Sequence, residues 1–574
     1  MNTEKIKSNY LLITLGHNSS ALFVDSDDKV VGYEQERLSG IKSDSQFPMD
    51  AINEIRKHIS PSAFNDCKIR ISHWFDSNSV DSTGMLIPNK YITKHDIDVL
   101  KSLSSDIKCV DEFFTHHDAH AYSVLGFHNY HSSTRDKYIL VADGFGTDGE
   151  VLSLYKPNSE GINLIHRKKG YQNSLGLMYQ YATSYCGMKE NQDEYKFLGY
   201  EAHIDEILDE ISIDIIDNQI ELTVNNLYNC YAIGSGLDTT KLMWYDIFEN
   251  LVNEIFKYNN YNKVEKTEFN IRVVVAYFIQ QTLEIYMSRL IEEYKIENLL
   301  VAGGLFYNVK LNNHLLNSIT GKFCVIPLAG DQGAAIGMYV HETNRSFPFG
   351  DLCFGKRSFY SAEKIKNINY ICPSDAGELQ TAAKLIAREI ADGKIVNLIY
   401  DSMEFGPRAL GHTSSLFLPT AENVANNNFM NNRNEVMPCA PICTFANSRN
   451  LFDMHELKRV VGSDEYMICT HDYLKKYSKH YGGVMHKKTL YENTYTGRPQ
   501  IVKYDLLLFT LLNEVENLTD YLCLVNTSFN VHGRPIAFSL TDIIQNHNYQ
   551  VEHSRKGKEP VLYIVNTSNM KSNE

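Results

Sequence analysis

YLLITLGHNSSALFVDSDDKVVGYEQER, residues 10–37, reads as three short strands: an apolar run, a tight polar turn, a second apolar run, an Asp-rich turn and a third run. KYILVADGFGTDGEVLSLYKPNSEGINLIHR, residues 137–167, repeats that order with Gly/Asp turns between its strands. Each segment is followed by mainly helical sequence. A repeated β-meander, with a polar turn after the first strand of each copy, predicts two related halves facing each other. Such halves can place both turns around a nucleotide's phosphates, because turn N–H groups make anion-binding nests.

GFGTDG (144–149) matches G-x-G-x-x-G in form, but a dinucleotide fold needs a helix next, and EVLSLYK reads as a strand. Gly144 and Gly146 are therefore expected to line phosphate, not a dinucleotide. Between the meanders, FFTHHDAHAYSVLGF (113–127) sets His116 and His120 four apart, on one face of a helix. That spacing suits a metal, although H-E-x-x-H lacks its Glu here because His117 stands in its place. For the pair alone, two surface histidines near a helix start is the simpler reading. A metal site needs anionic oxygens from elsewhere in the chain.

Two more strand-to-helix joints supply glycine-rich turns. After the helical run 272–300 comes VAGGLFYNVKLNNHLL, a strand end, paired glycines, Asn308 and a helix; FCVIPLAGDQGAAIGMYVH (323–341) is a strand, a Gly/Asp turn and a small-residue helix. Glycines there allow close backbone approach to a ligand, and the helix start favours anions. The pattern breaks at NRSFPFGDLCFGKRS (344–358), which places a domain boundary between 1–348 and 349–574. The second part holds a buried-type strand running into a polar loop with Glu404, Arg408, His412 and Ser415, then YTGRPQIV (495–502) and YLCLVNTSFNVHGRPI (521–536). Arginine forks among hydroxyl and amide groups suit phosphate recognition.

The bulk numbers bound the partners. The 574 residues carry Lys+Arg 55 against Asp+Glu 70, a net −15, which disfavours general affinity for nucleic acid or acidic membrane. The eleven cysteines form no C-x-x-C pair, with Cys439 and Cys443 the closest, so free thiols in a reducing cytoplasm are expected. MNTEKIKSNY has no apolar signal-peptide core, and LLLFTLL (506–512) is too short for a membrane span and reads as core.

Taken in order, LGHNSSA, EQER…K…FP, HHDAHA, ADGFGTDGE, GGLFYNVKLN, AGDQGAAIG, MEFGPRALGHTS, TGRPQIV and NTSFNVHGRP resemble the nodulation-factor and antibiotic O-carbamoyltransferases (NodU/CmcH type), nearly end to end. The resemblance implies an α/β chain: a large N-terminal domain of the sugar-kinase/Hsp70/actin class, built from the duplicated β-meander halves, and a smaller C-terminal YrdC-like domain. It implies that the smaller domain makes carbamoyl-adenylate from carbamoyl phosphate and ATP, the latter with Mg, and that the larger passes the carbamoyl group to an acceptor hydroxyl.

By the same resemblance, His116 and His120 bind a divalent metal together with Asp143 and Asp331, a set that suits iron(II) or another first-row ion. His17 and Lys42 fall near the reacting carbamoyl group, with His17 as base or hydrogen-bond donor. Gly303, Gly304 and Asn308 border the nucleotide, and Arg408, Arg433, Arg498, Asn526, Ser528 and Asn530 match phosphate- and carbamoyl-binding positions. The chain departs from the family at NNRNEVMPCAP (431–441), where Asn431 replaces a Lys and Met437 an Arg, so that Arg534 or another basic group is expected to substitute. FLGYEA (197–202) departs on the acceptor side. The acceptor stays open among sugars, antibiotics, toxins and, given a composition rich in Asn, Ile, Lys and Tyr that fits an AT-rich bacterial or viral genome, a hydroxymethylpyrimidine of viral DNA. A homodimer is compatible with this reading. The alternatives are a tRNA threonylcarbamoyl transferase, a sugar-kinase-like phosphotransferase yielding ADP, and a non-catalytic metal- and nucleotide-binding regulator.

Overall fold

The computed structural model describes residues 8–570 apart from 66, 129–136, 160, 230–235, 259–263, 360–361, 365–367, 434–438, 475–480 and 488–494; Met437 lies outside the described residues. The first meander forms β1 (Tyr10–Thr14), β2 (Ser20–Val24) and β3 (Val30–Glu34), joined by β4 (Lys68–Ser72) and β5 (Ile107–Cys109) in the order β3-β2-β1-β4-β5. The second forms β6 (Lys137–Ala142), β7 (Glu150–Pro157) and β8 (Ile162–Lys169), joined by β9 (Asn298–Ala302) and β10 (Phe323–Val325). Read from its meander outward, that sheet runs β8-β7-β6-β9-β10, the same order.

The pairing senses agree too. The first strand of each set is antiparallel to the second and parallel to the fourth. The duplication expected from the sequence is present, and β7 follows GFGTDG as a strand. Every residue of β1 is buried, as a strand covered on both faces requires.

Equivalent helices follow the fifth strand of each sheet, His116–Phe127 and Ala334–Thr343, and they cross in close contact. A Cβ on Gly337 would lie 1.7 Å from the Ala119 carbonyl oxygen, so only glycine permits this approach. Each helix is also ion-paired to the other half's sheet. Glu342 meets the buried Arg70 of β4 at 2.5 and 2.8 Å, and Asp118 meets Arg167 of β8 at 2.8 Å.

The second part of the chain adds β11 (Asn369–Ile371), β12 (Val396–Tyr400), β13 (Thr413–Phe417), β14 (Ala440–Thr444), the short β15 (His471–Asp472), β16 (His486–Lys487) and β17 (Tyr495–Gly497), then β18 (Gln500–Val502), β19 (Leu524–Ser528) and β20 (Val561–Val565). Seven make one mixed sheet, β11-β20-β12-β13-β19-β14-β18, and β15-β17-β16 a small one. Helices Ala376–Ala391 and Leu506–Thr519 pack over the large sheet through Leu379, Ile386, Leu507 and Leu511, so LLLFTLL is core as expected. Ser415 lies within β13, buried and bonded to Asn397, and not in the polar loop where the sequence suggested it.

Packing continues across residue 348. Phe405, Leu410, Val460 and 466–469 share a buried cluster with β6, β9 and β10, and Asn312 Nδ2 donates to Ile468 O at 2.7 Å. Among the described residues the cysteines are free thiols, and no helix is long and apolar enough to cross a membrane.

Candidate metal centre and its surroundings

Thr115 starts the His116–Phe127 helix with a capping box, its hydroxyl taking the Asp118 N–H while the Asp118 carboxylate takes the Thr115 N–H. This fixes the first turn and aims His116 and His120 inward, where they are 1 % and 0 % exposed. Surface histidines they are not. Asp143 follows β6 and Asp331 follows the turn after β10, and both turn back onto the imidazoles. His116 Nε2 lies 3.2 Å from Asp331 Oδ1 and 3.6 Å from Asp143 Oδ2; His120 Nε2 lies 3.2 Å from Asp143 Oδ2 and 3.6 Å from Asp331 Oδ1; the two Nε2 atoms are 3.1 Å apart.

Those edges decide what the cluster can hold. An ion with bonds of about 2.1 Å sets neighbouring ligands roughly 3.0–3.4 Å apart, so the four donors are spaced as one ion's coordination shell. Burial alone would push His116 down, but the two carboxylates raise it to about 10, and the same imidazoles hold Asp143 and Asp331 well below the carboxylate range against their own burial. The two carboxylates thus favour positive charge at the cluster, on an imidazole or on an ion that takes its proton's place. The backbone makes the room: Gly303 has φ +104° with its Cα against the Ala142 carbonyl, and a Cβ on Gly304 would sit 2.9 Å from Asp143 Oδ1. The donor set fits a first-row divalent ion. His117 belongs elsewhere, bonded to Ser153 at 2.9 Å and kept neutral by burial and by its neighbour His116.

Around the cluster the other expected residues divide. Gly144 N–H donates to Asp143 Oδ1 at 2.7 Å, and Gly146 sits in the tight turn closed by its bonds to Glu150 and Gly149. Asn308 is committed to the protein, capping the Val309–Ser318 helix through Leu311 N–H and donating to Gln280 at 2.8 Å. His17 stands half-buried in the turn after β1, close enough to Glu194 to act on its charge. Lys42 lies over the Tyr195 ring at 5.9 Å, beside Asp193. Trp74 covers Gly16 and meets Phe145, and Tyr91, Phe75 and Tyr171 extend this half-buried aromatic patch next to the Asp143 turn. Asp76, Asp81, Glu112 and Asp148 are exposed around it.

In the second part, Glu404 is a loop organiser: buried, it accepts the N–H groups of Leu410, His412 and Thr413 and the Thr413 hydroxyl. The loop so shaped presents Arg408, whose Nε is buried without a protein partner and whose guanidinium lies 6.0 Å from the Tyr307 ring. Tyr307 bonds Gln332, the neighbour of Asp331, and Gln332 bonds Glu34, which takes the Gly406 N–H. Arg408 thus stands between the two parts. Arg433 is held by Thr527, Ser528 and Asn530, Ser528 Oγ bonds Asn530 at 2.6 Å, and Asn526 bonds Gln500 and Ala409 O.

Arg498 lines a separate cavity with Lys310, Thr470, His486 and Thr496, between the 309–318 helix and the β15-β17-β16 sheet. Asn431 is 0 % exposed in an amide chain with Asn427 and Gln550, so the missing Lys leaves buried neutral groups at that position. Arg534 is exposed, whereas Arg357, unflagged by the sequence, buries Nε and Nη1 without partners beside Thr413, and burial lowers it to about 10. Its only sequence signal was a basic dipeptide after the Pro/Gly break.

Comparison with known proteins gives two family matches: Carbamoyltransferase N-terminus over residues 72–340 and Carbamoyltransferase C-terminus over 387–553. The chain is 26% identical to an uncharacterized protein of Methanocaldococcus jannaschii over 551 residues, covering 92% of this chain and 94% of the other. It is 24% identical to nodulation protein NolNO of Sinorhizobium fredii over 559 residues, covering 92% and 76%. Among solved structures, full-length HypF in its phosphate- and nucleotide-bound form is similar at 15% identity and a TM-score of 0.30, over 60% of this chain and 47% of that one.

Proposed function

The chain belongs to the carbamoyltransferase family, whose N-terminal and C-terminal parts it carries in order, and from that premise we propose that it is an ATP-dependent O-carbamoyltransferase working at two sites. The observation that carries this reading is the convergence of His116, His120, Asp143 and Asp331 beside Tyr307, with Arg408 of the second part reaching over from the other side. In the first step carbamoyl phosphate, ATP and water yield carbamoyl-adenylate, pyrophosphate and phosphate. Arg433, Ser528 and Asn530, which bond one another, are assigned to this step with Arg357 as a further cation for phosphate charge, and Arg498 acts on it from its own cavity beside Lys310. The division of labour follows 1–348 for transfer and 349–574 for activation.

In the second step the acceptor hydroxyl attacks the carbamoyl carbon and AMP leaves. His17 takes the hydroxyl proton as general base, and Lys42 and Arg408 offset charge on the adenylate. A divalent ion held by the four donors would polarise the phosphate and ease departure of AMP. Trp74, Phe145 and Tyr171 offer faces for a ring, and the acidic rim favours an uncharged or cationic acceptor, a sugar or aminated antibiotic, over DNA.

The test separates the steps. Arg498→Ala is expected to stop carbamoyl-phosphate-dependent pyrophosphate release, and Asp143→Asn to keep that release while blocking transfer. Supplied carbamoyl-adenylate should restore product to the Arg498 variant only. A folded Asp143 variant unable to release pyrophosphate would mean one composite site, and a wild-type chain that binds ATP but releases neither pyrophosphate nor AMP would be the regulator instead.

A further inference from the structure

The loop that presents Arg408 ends at His412, and a second group of donor atoms gathers there. His412 is buried and stacked on Tyr400, with ring centroids 4.6 Å apart. Its Nδ1 lies 2.9 Å from Tyr400 O and 3.1 Å from Ser402 O. Two carbonyls can only accept, so Nδ1 carries the proton that donates to them, which leaves Nε2 as the free donor nitrogen. A ring nitrogen of His412, Cys353 Sγ and an Asp351 carboxylate oxygen lie within 4.8 Å of one another, and with Nδ1 taken by the two carbonyls the nitrogen open to them is Nε2.

The approach is built by local structure. Asp351 Oδ1 accepts the Cys353 N–H at 2.9 Å, a turn that brings carboxylate and thiol to one side. Asp505 Oδ1 caps the Leu506–Thr519 helix through the Leu508 N–H, and its Oδ2 stands 3.6 Å from His412 Nε2. Asp351 is exposed and Cys353 half-buried, so the group opens to solvent on that side.

We propose that Cys353 Sγ, His412 Nε2 and an Asp351 oxygen, with Asp505 Oδ2 at the rim, form a second divalent-cation site, of the zinc class. A thiolate with an imidazole selects a borderline-soft ion over magnesium or calcium. An imidazole N–H fixed on backbone carbonyls is the usual support of a ligating histidine. Two carboxylates beside one buried ring give the cation its charge balance. Binding releases the thiol proton to solvent. The ion would pin three segments to one another: the 351–353 turn, the end of the Arg408 loop and the start of the 506–519 helix.

The reading is independent of the carbamoyl chemistry and of the His116/His120 cluster, which has no sulfur. The full chain is stripped with chelator and reloaded with cobalt(II). Wild type is expected to show a thiolate-to-cobalt charge-transfer band in the near ultraviolet. Cys353→Ser should abolish it, and His120→Ala should leave it in place. Zinc should slow alkylation of Cys353 in the wild-type chain by about tenfold or more, read by peptide mass spectrometry; this arm needs no variant. Absence of the band in wild type, its survival in Cys353→Ser, or alkylation of Cys353 indifferent to zinc would each overturn the site. Loss of carbamoyl transfer with the band intact would bear on the proposed function alone.

Discussion

The two five-stranded sheets share one topology, yet equivalent loops carry different chemistry. The turn after β1 holds His17 and the turn after β6 holds Asp143; the helix after β5 opens on His116, and the turn before the helix after β10 holds Asp331. One half contributes imidazoles to the cluster and the other carboxylates. The shared topology therefore supplies the geometry, and equivalent loops that differ in sequence supply the donors. Neither half holds the site alone, much as an active site at a dimer interface belongs to neither subunit.

The comparison breaks most visibly at the donors. His120→Ala or Asp331→Ala is expected to take bound first-row ion from about one per chain to a small fraction, and acceptor transfer down by about a thousandfold or more. His17→Ala, in the turn equivalent to the one that holds Asp143, should keep the ion and lose roughly 10²–10⁴ in transfer. Metal analysis beside a transfer assay checks both, and a His17 variant without metal would end the contrast between the halves.

A smaller effect tests how tightly the halves are joined. Gly337→Ala sets a methyl against the Ala119 carbonyl, in the helix that carries both histidines. The expected cost is roughly 2–4 kcal/mol in denaturant unfolding, with weakened ion binding as His116 and His120 shift. An unchanged midpoint and unchanged ion affinity would show that the crossing yields easily.

The pH dependence sharpens the same joint. Burial works against ionisation of Glu342, but bonds and charge from Arg70, then Lys68, lower it from its ordinary 4.5 to about 2. A carboxyl depressed on folding contributes stability that is full above pH 4.5 and is lost as pH falls through about 2. Glu342→Gln is expected to cost about 1–2 kcal/mol at neutral pH, the shift being discounted for solvent screening of a half-buried carboxylate, and to flatten the stability curve between those limits. Urea midpoints measured across that range decide it, and parallel wild-type and variant curves would refute the coupling.

Local patterns were legible in the sequence. Apolar runs cut by Asp and Gly turns gave both meanders, and the four-residue spacing put His116 and His120 on one helical face. Asp143 and Asp331 entered through family resemblance, since nothing local distinguishes a ligating Asp after a strand from a capping one. What stayed hidden depends on residues far apart in the chain. Trp74 meets Phe145 across two sheets, Cys353 meets His412, and Arg357 is buried against Thr413. Asn308 entered through the same resemblance, as a residue bordering the nucleotide, and in the structure both ends of its amide bond the protein. Asn431 read as a lost charge; only the fold reveals the amide chain that took its place.

The buried cluster that runs past residue 348 limits how such a chain can be reshuffled. Phe405, Leu410, Val460 and 466–469 pack with β6, β9 and β10, so a cut between the two parts would leave apolar faces on both. Recombination that swaps the whole second part between relatives must carry these contacts along or lose solubility, whereas exchange of exposed loops leaves them untouched. Loops at the rim are then open to drift, while the joined core is inherited as one piece.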